Sequence, residues 1–138
     1  MNIVIVGAHN RISSDDRKLV SDLIDGLAEK YSSCLFVTTA HSEGVGKYVR
    51  EKCLERNVRN EYKYQLAVVN VQLFVSKRSR EEVAAIYQTR NATLLELGDV
   101  YYYLASDSRT GMMETLINSA EALGRPVKVL LPGDPLEL

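Results

Sequence analysis

The sequence predicts an α/β fold, a three-layer α/β/α sandwich with a mostly parallel five-stranded Rossmann-like sheet. Three observations predict it. Short β-rich apolar runs alternate with longer segments of helical period along the whole chain. The runs are apolar without strict alternation, as strands covered on both faces are. The connections are short, with no linker and no repeat, so right-handed crossovers place helices on the two faces of one sheet. A chain of 138 residues suits one domain, residues 1-138, and can bury a core without disulfides or metal.

Each element follows from its own residues. Asn2 to Gly7 is a β-branched run ended by glycine, the first strand. From about Asp15 to Tyr31, Leu19, Val20, Leu23, Ile24, Leu27 and Ala28 recur at three- and four-residue spacing and make one apolar helical face. Ser13 or Ser14 caps this helix, and Asp15 and Asp16 suit its positive end. Cys34 to Thr39 reads as the second strand, followed by a loop with His41, Ser42, Gly44 and Gly46 and a helix carrying Val49, Cys53 and Leu54. Gln65 to Val75 is β-rich and reads as a third strand, preceded by a polar, exposed stretch from Asn57 to Lys63. Helical period returns from Arg80 to Gly98.

Asp99 to Leu104 is the fourth strand. Its consecutive Tyr101, Tyr102 and Tyr103 must alternate between faces, so they cannot form a single stacking surface. A helix from Met112 to Leu123 stops at Gly124-Arg125-Pro126, and Val127 to Leu131 is the fifth strand.

Composition narrows the function. Seventeen Lys and Arg against eighteen Asp and Glu give a formal net charge of -1, without the basic stripe that nucleic acid or an anionic membrane would need. The two cysteines make no disulfide scaffold and have no metal-ligand spacing; burial as small apolar residues is expected of both. No run approaches the 18 apolar residues of a membrane span, and MNIVIVG lacks the marks of a signal sequence. A cytoplasmic setting is expected.

Parallel α/β sheets bind ligands beyond the carboxyl ends of their strands, where strand order reverses. That directs attention to residues 7–14, 40–46, 76–82 and 105–111. The first loop has one glycine, Gly7, where a dinucleotide fingerprint needs three. Gly44-Val45-Gly46-Lys47 lacks the upstream glycine and the following hydroxyl of a P-loop. Gly44 and Gly46 still stand between a strand and a helix, where a ligand can approach the backbone. Ser106, Asp107, Ser108, Arg109, Thr110 and Gly111 are the stronger candidate. They bring hydroxyls, a guanidinium and a small residue to the start of a helix, whose free N–H groups attract phosphate.

Two further residues stand out. Arg90 falls on the apolar stripe of Val83, Tyr87, Leu94 and Leu97, so it must snorkel, pair with an acid or point into a pocket. To reach a ligand, its helix must break near Thr89 or cross above the sheet. Glu114 lies in the first turn after the 106–111 loop. A carboxylate there suits the helix dipole, and it is also placed to stabilise the cationic sugar formed when a glycosidic bond breaks.

The order of these motifs resembles the SLOG/YspA-like nucleotide-binding superfamily. Its members include lysine-decarboxylase-like cytokinin-activating phosphoribohydrolases, the DNA-processing DprA fold and molybdenum-cofactor carrier proteins; nucleoside deoxyribosyltransferases are similar in layout. The resemblance runs from the Gly7 loop with Arg11 and Asp16, through Gly44 and Gly46, to Ala120 and Gly124-Arg125-Pro126-Val127. Its most specific part is Arg90-Asn91 followed by Asp99 at a strand start. It implies a nucleotide-like ligand, with Arg90 and Glu114 as catalytic residues and Gly7, Arg11, Asn91 and Gly111 near the ligand. No cofactor or metal is required, and a homodimer is expected.

Two functions follow. The first is an N-glycosidase or phosphoribohydrolase acting on a nucleoside 5'-monophosphate. The second is a protein that binds a nucleotide or nucleotide-derived signal without turnover. The second arises because residues 105–111 lack the Pro-Gly-Gly-x-Gly-Thr of the hydrolase pattern, and Glu114 follows Gly111 by three residues rather than four.

Overall fold

The computed structural model describes residues 1–58, 63–71, 79–109 and 111–138. Nine elements alternate as the sequence predicts: β1 (Asn2–Gly7), α1 (Ser14–Lys30), β2 (Leu35–Thr39), α2 (Val45–Val58), β3 (Gln65–Val69), α3 (Arg80–Leu97), β4 (Val100–Leu104), α4 (Met112–Ala122) and β5 (Val127–Leu130). The strands form one all-parallel sheet in the order β3-β2-β1-β4-β5. The chain winds outward from β1 to β3, then returns to β4 on the other side of β1. The switch in direction therefore lies between β1 and β4.

Two apolar cores make the three layers. On one face of the sheet, Val20, Leu23, Ile24 and Leu27 of α1 and Val49 and Cys53 of α2 pack on Ile3, Ile5 and Phe36. On the other, Leu94 of α3 and Met113, Leu116 and Ile117 of α4 pack on Val4, Val6, Tyr101 and Tyr103. The tyrosine run divides as the pleat requires, because Tyr102 packs against the first core. Tyr101 donates to the carbonyls of Leu95 (2.6 Å) and Gly98 (3.1 Å), so its hydroxyl reinforces the end of α3. Both cysteines are buried and free, with burial pushing the Cys53 thiol up to about 12.

Local chemistry sets the ends. Ser13 and Ser79 each form a capping box, with Asp16 and Glu82 three residues on. The third strand is shorter than the expected Gln65 to Val75: β3 ends at Val69, and residues 72–75 lie outside the described residues. So do 59–62, within the stretch expected to be polar and exposed, and 76–78 and Thr110 among the expected ligand loops. No described helix is long and apolar enough to cross a membrane.

Of the two routes expected for Arg90, a break near Thr89 or a passage above the sheet, the second positions the site. The helix carrying Arg90 does not break; α3 is continuous over 18 residues, about 27 Å at ~1.5 Å per residue. The only buried residues of α3 are Arg90, Asn91 and Leu94. The strands beneath it have five or six residues and span only about 20 Å. The first half of α3 therefore overhangs the carboxyl ends of the strands. Residue 90 sits at the level of those ends, with Gly7 and Thr39 in the same cavity lining.

Candidate functional site

A cavity of about 310 Å³ opens at the switch point. Gly7, Ala8 and His9 follow β1, and Gly111, Met112 and Met113 begin α4, so the two sides of the reversal face one space. The loop after β2 adds His41, Ser42 and Glu43, the start of α2 adds Val45 and Gly46, and α3 adds Tyr87 and Arg90.

Two glycines let these elements converge. A Cβ on Gly7 would lie 2.2 Å from Val45 Cγ2, and one on Gly46 would lie 2.8 Å from both the carbonyl and the hydroxyl oxygen of Thr39. Both are close-approach glycines that draw the start of α2 onto the ends of β1 and β2. Gly111 is different. Its φ of 100° lies in the region open to glycine, nothing lies within 4 Å of where its Cβ would be, and it caps α4 with no side-chain hydrogen bond. The first N–H groups of α4 thus have no side-chain acceptor at Gly111, and the positive end of the helix dipole is at the cavity wall.

Arg90 dominates the electrostatics. It is 4% exposed, yet no carboxylate among the described residues pairs with it. Its Nη1 lies 3.1 Å from His41 Nε2 and its Nη2 donates to Asn91 Oδ1 at 3.1 Å. Its Nε has no hydrogen-bond partner, and the guanidinium lies 4.9 Å from the centre of the Tyr87 ring. Burial pulls its proton affinity down, with the Tyr87 hydroxyl acting weakly the other way. Because a guanidinium only donates, His41 Nε2 must accept and a neutral His41 carries its proton on Nδ1. Partial withdrawal from water, then the charges of Arg90 and Arg50, push the His41 imidazole below its usual value. Arg50 also braces this loop, donating to the carbonyls of Thr39 (2.7 Å) and His41 (2.6 Å).

The residues expected at a ligand divide into three groups. Arg90, Gly7, Gly46 and Gly111 line the cavity. Asn91 positions: its Oδ1 accepts from Arg90, while its Nδ2 donates to the carbonyl of Met112 at 2.9 Å, tying α3 to α4. The others are elsewhere. Glu114 and Arg109 hold each other, with Arg109 Nη2 2.8 Å from Glu114 Oε1 and Arg109 Nε 3.3 Å from Oε2. That bond is the main reason the Arg109 guanidinium holds its proton more tightly than usual. Tyr103, buried beside this pair with no hydrogen-bond partner for its hydroxyl, is pushed up by burial first and by Glu114 second.

Arg11, Ser106 and Asp107 border a separate hollow of about 280 Å³ near α1. Ser106 and Ser108 share a hydrogen bond of 3.0 Å. Gly44, at φ 86°, makes the turn into α2 and is not among the cavity-lining residues. Thr110 lies outside the described residues. Among its described residues, the loop expected to cradle phosphate thus contributes only Gly111 to the cavity.

In the 40–46 loop the sequence drew attention to the glycines; His41 and Ser42 were placed there without a role, and Glu43 carried no signal. The available signal was Tyr87, which stands three residues before Arg90 on the same stripe and shares a helical face with it. His9, Met112 and Met113 had no signal beyond adjacency to Gly7 and Gly111. Among the described residues, no three His, Cys, Asp or Glu side chains gather as a metal ion would require. No family model, no curated protein and no solved structure matches this chain.

Proposed function

We propose that this domain binds a nucleotide-like anion, a nucleoside monophosphate or a close derivative, in the switch-point cavity. The observation that carries the reading is the buried Arg90 guanidinium, whose partners are all uncharged. Withdrawing a cation from water is costly unless an opposite charge compensates it. A phosphate at the cavity wall supplies that charge. The start of α4 attracts the same anion, and Tyr87, Met112 and Met113 offer apolar surface to a sugar or base. The reading carries with it membership of the SLOG-like superfamily that Arg90-Asn91 and Asp99 resemble, and a cytoplasmic, dimeric protein. The all-parallel sheet and the position of the cavity support it.

Binding without turnover is preferred to hydrolysis for a specific reason. The carboxylate expected to face the sugar, Glu114, is not among the cavity-lining residues and has both oxygens engaged by Arg109, while the carboxylate that does line the cavity, Glu43, is exposed to water at its rim. Titration calorimetry with nucleoside monophosphates, combined with chromatography for released base, tests both. Binding should occur without base release. Arg90→Gln should weaken it by roughly 10- to 100-fold, the worth of a charged hydrogen bond at about 1.5–3 kcal/mol. Equal affinity in the wild type and the variant overturns the assignment of Arg90. Base release that is lost in Glu114→Gln restores the hydrolase.

A further inference from the structure

A second cavity, of about 290 Å³, lies beyond Arg90 at the ends of β2 and β3. It adjoins the first, and His41, Ser42, Tyr87 and Arg90 line both spaces. The far side is formed by Val69, Asn70 and Val71. The buried cation therefore stands at the junction of two compartments of similar size.

Taking the nucleotide-binding reading as its basis, we propose that the ligand is bipartite, a nucleotide whose phosphate is joined to a second nucleoside-sized group as a phosphodiester or pyrophosphate diester. The central phosphate lies at Arg90 and His41, and one organic group fills each compartment. A terminal phosphate at Arg90 would leave the second compartment unused, and the first alone is at the small end of ligand sites, which run from about 300 to 1,000 Å³. The chemistry of the far wall suits a flat heterocycle. Val69 and Val71 give apolar contact, and the exposed Asn70 amide, which makes no hydrogen bond among the described residues, offers the adjacent donor and acceptor that match a base edge. Tyr87, against the guanidinium at the junction, presents its ring to both spaces.

Calorimetry on the full chain compares each ribonucleoside monophosphate with the symmetrical dinucleoside diphosphate of the same base. At least one dinucleotide is expected to bind about tenfold or more tightly than its mononucleotide. Asn70→Ala should reduce that advantage, and Asn70→Trp, which places a bulky ring at the far compartment, should abolish it. Asn70 is exposed, and circular dichroism confirms that both variants fold. Mononucleotide binding with no gain for any dinucleotide, or a gain that survives both substitutions, overturns the bipartite ligand and leaves the simpler nucleotide reading standing. Absence of binding by either class overturns both.

Discussion

Arg11 should be a structural arginine, and its replacement by Met should cost stability without costing ligand affinity. It is 3% exposed, and its guanidinium joins three segments. Nε meets Asp16 Oδ1 at 2.7 Å, and Nη1 donates to the carbonyls of Ala105 (2.7 Å) and Leu130 (2.9 Å). It therefore ties the start of α1 to the ends of β4 and β5. Breaking a buried ion pair costs about 3–5 kcal/mol, and each orphaned carbonyl adds to the penalty. Asp16 keeps part of its stabilisation from the Ser13 amide at 3.2 Å and from the positive end of α1. The net expectation is a loss of roughly 3–4 kcal/mol, which moves the urea midpoint down by about 1–4 M at the usual m-values. Arg11→Lys, which keeps the charge and loses the fork, should fall between wild type and Arg11→Met, so the series stays readable if the Met variant unfolds. A loss below about 1 kcal/mol, or nucleotide affinity that collapses in a stable variant, would refute the reasoning.

His41 makes the stability of the ligand-free protein depend on pH. Its folded value lies below its unfolded value of about 6.5, so the folded state binds the proton less well. The stability gained from a neutral ring is complete above that value and is lost as pH falls below it, and His41→Gln should flatten the melting temperature between pH 7 and 5. Identical pH profiles for the two proteins would sink this assignment. Gly7→Ala and Gly111→Ala separate two kinds of glycine requirement in denaturant titrations. The first forces a Cβ to 2.2 Å from Val45 Cγ2 and should cost about 1–3 kcal/mol through overpacking; the second meets nothing within 4 Å, and at φ 100° and ψ −170° it should cost about 1–3 kcal/mol through its backbone conformation alone. A harmless Gly7→Ala would mean that α2 does not press on the end of β1.

The fold was legible because it rests on local signals that agree. Each strand except the third is bounded within a residue or so of its apolar run, and Ser13-Asp16 and the Gly124-Arg125-Pro126 stop appear in the structure where the sequence has them. The site was only half legible, and the reason is physical. A glycine has the same letter whether it admits a ligand or another helix, and Gly7 and Gly46 are explained by contact with Val45 and Thr39. Arg109 and Glu114 were each sensible near a phosphate. Five residues apart across a helix start, they find each other first. Asp99 marks the resemblance as clearly as Arg90 does, yet it stands at the opposite end of its strand from the cavity, where Oδ2 accepts from the Asn2 amide at 2.7 Å. The choice between a break near Thr89 and a passage of α3 above the sheet was not readable, because the level at which a crossover helix passes the sheet depends on the connection before it and not on its own period.

What separates Arg11 from Arg90 is the counter-charge. Both are nearly fully buried, at 3% and 4% exposure, and both spend donors on neutral acceptors. Among the described residues only Arg11 has a carboxylate partner, supplied five residues later by its own loop and helix start, so its charge is balanced once β1 and α1 have folded. Arg90 is held by a histidine that must stay neutral to accept its hydrogen bond and by an amide whose other end is tied to α4. Those contacts orient the guanidinium without neutralising it. On the nucleotide-binding reading, the uncompensated charge costs the ligand-free protein stability and favours the anion that completes it, because burial of the guanidinium raises both terms. A purely structural arginine in that position would be better replaced by leucine, which matches the stripe of Leu94 and the core beneath it.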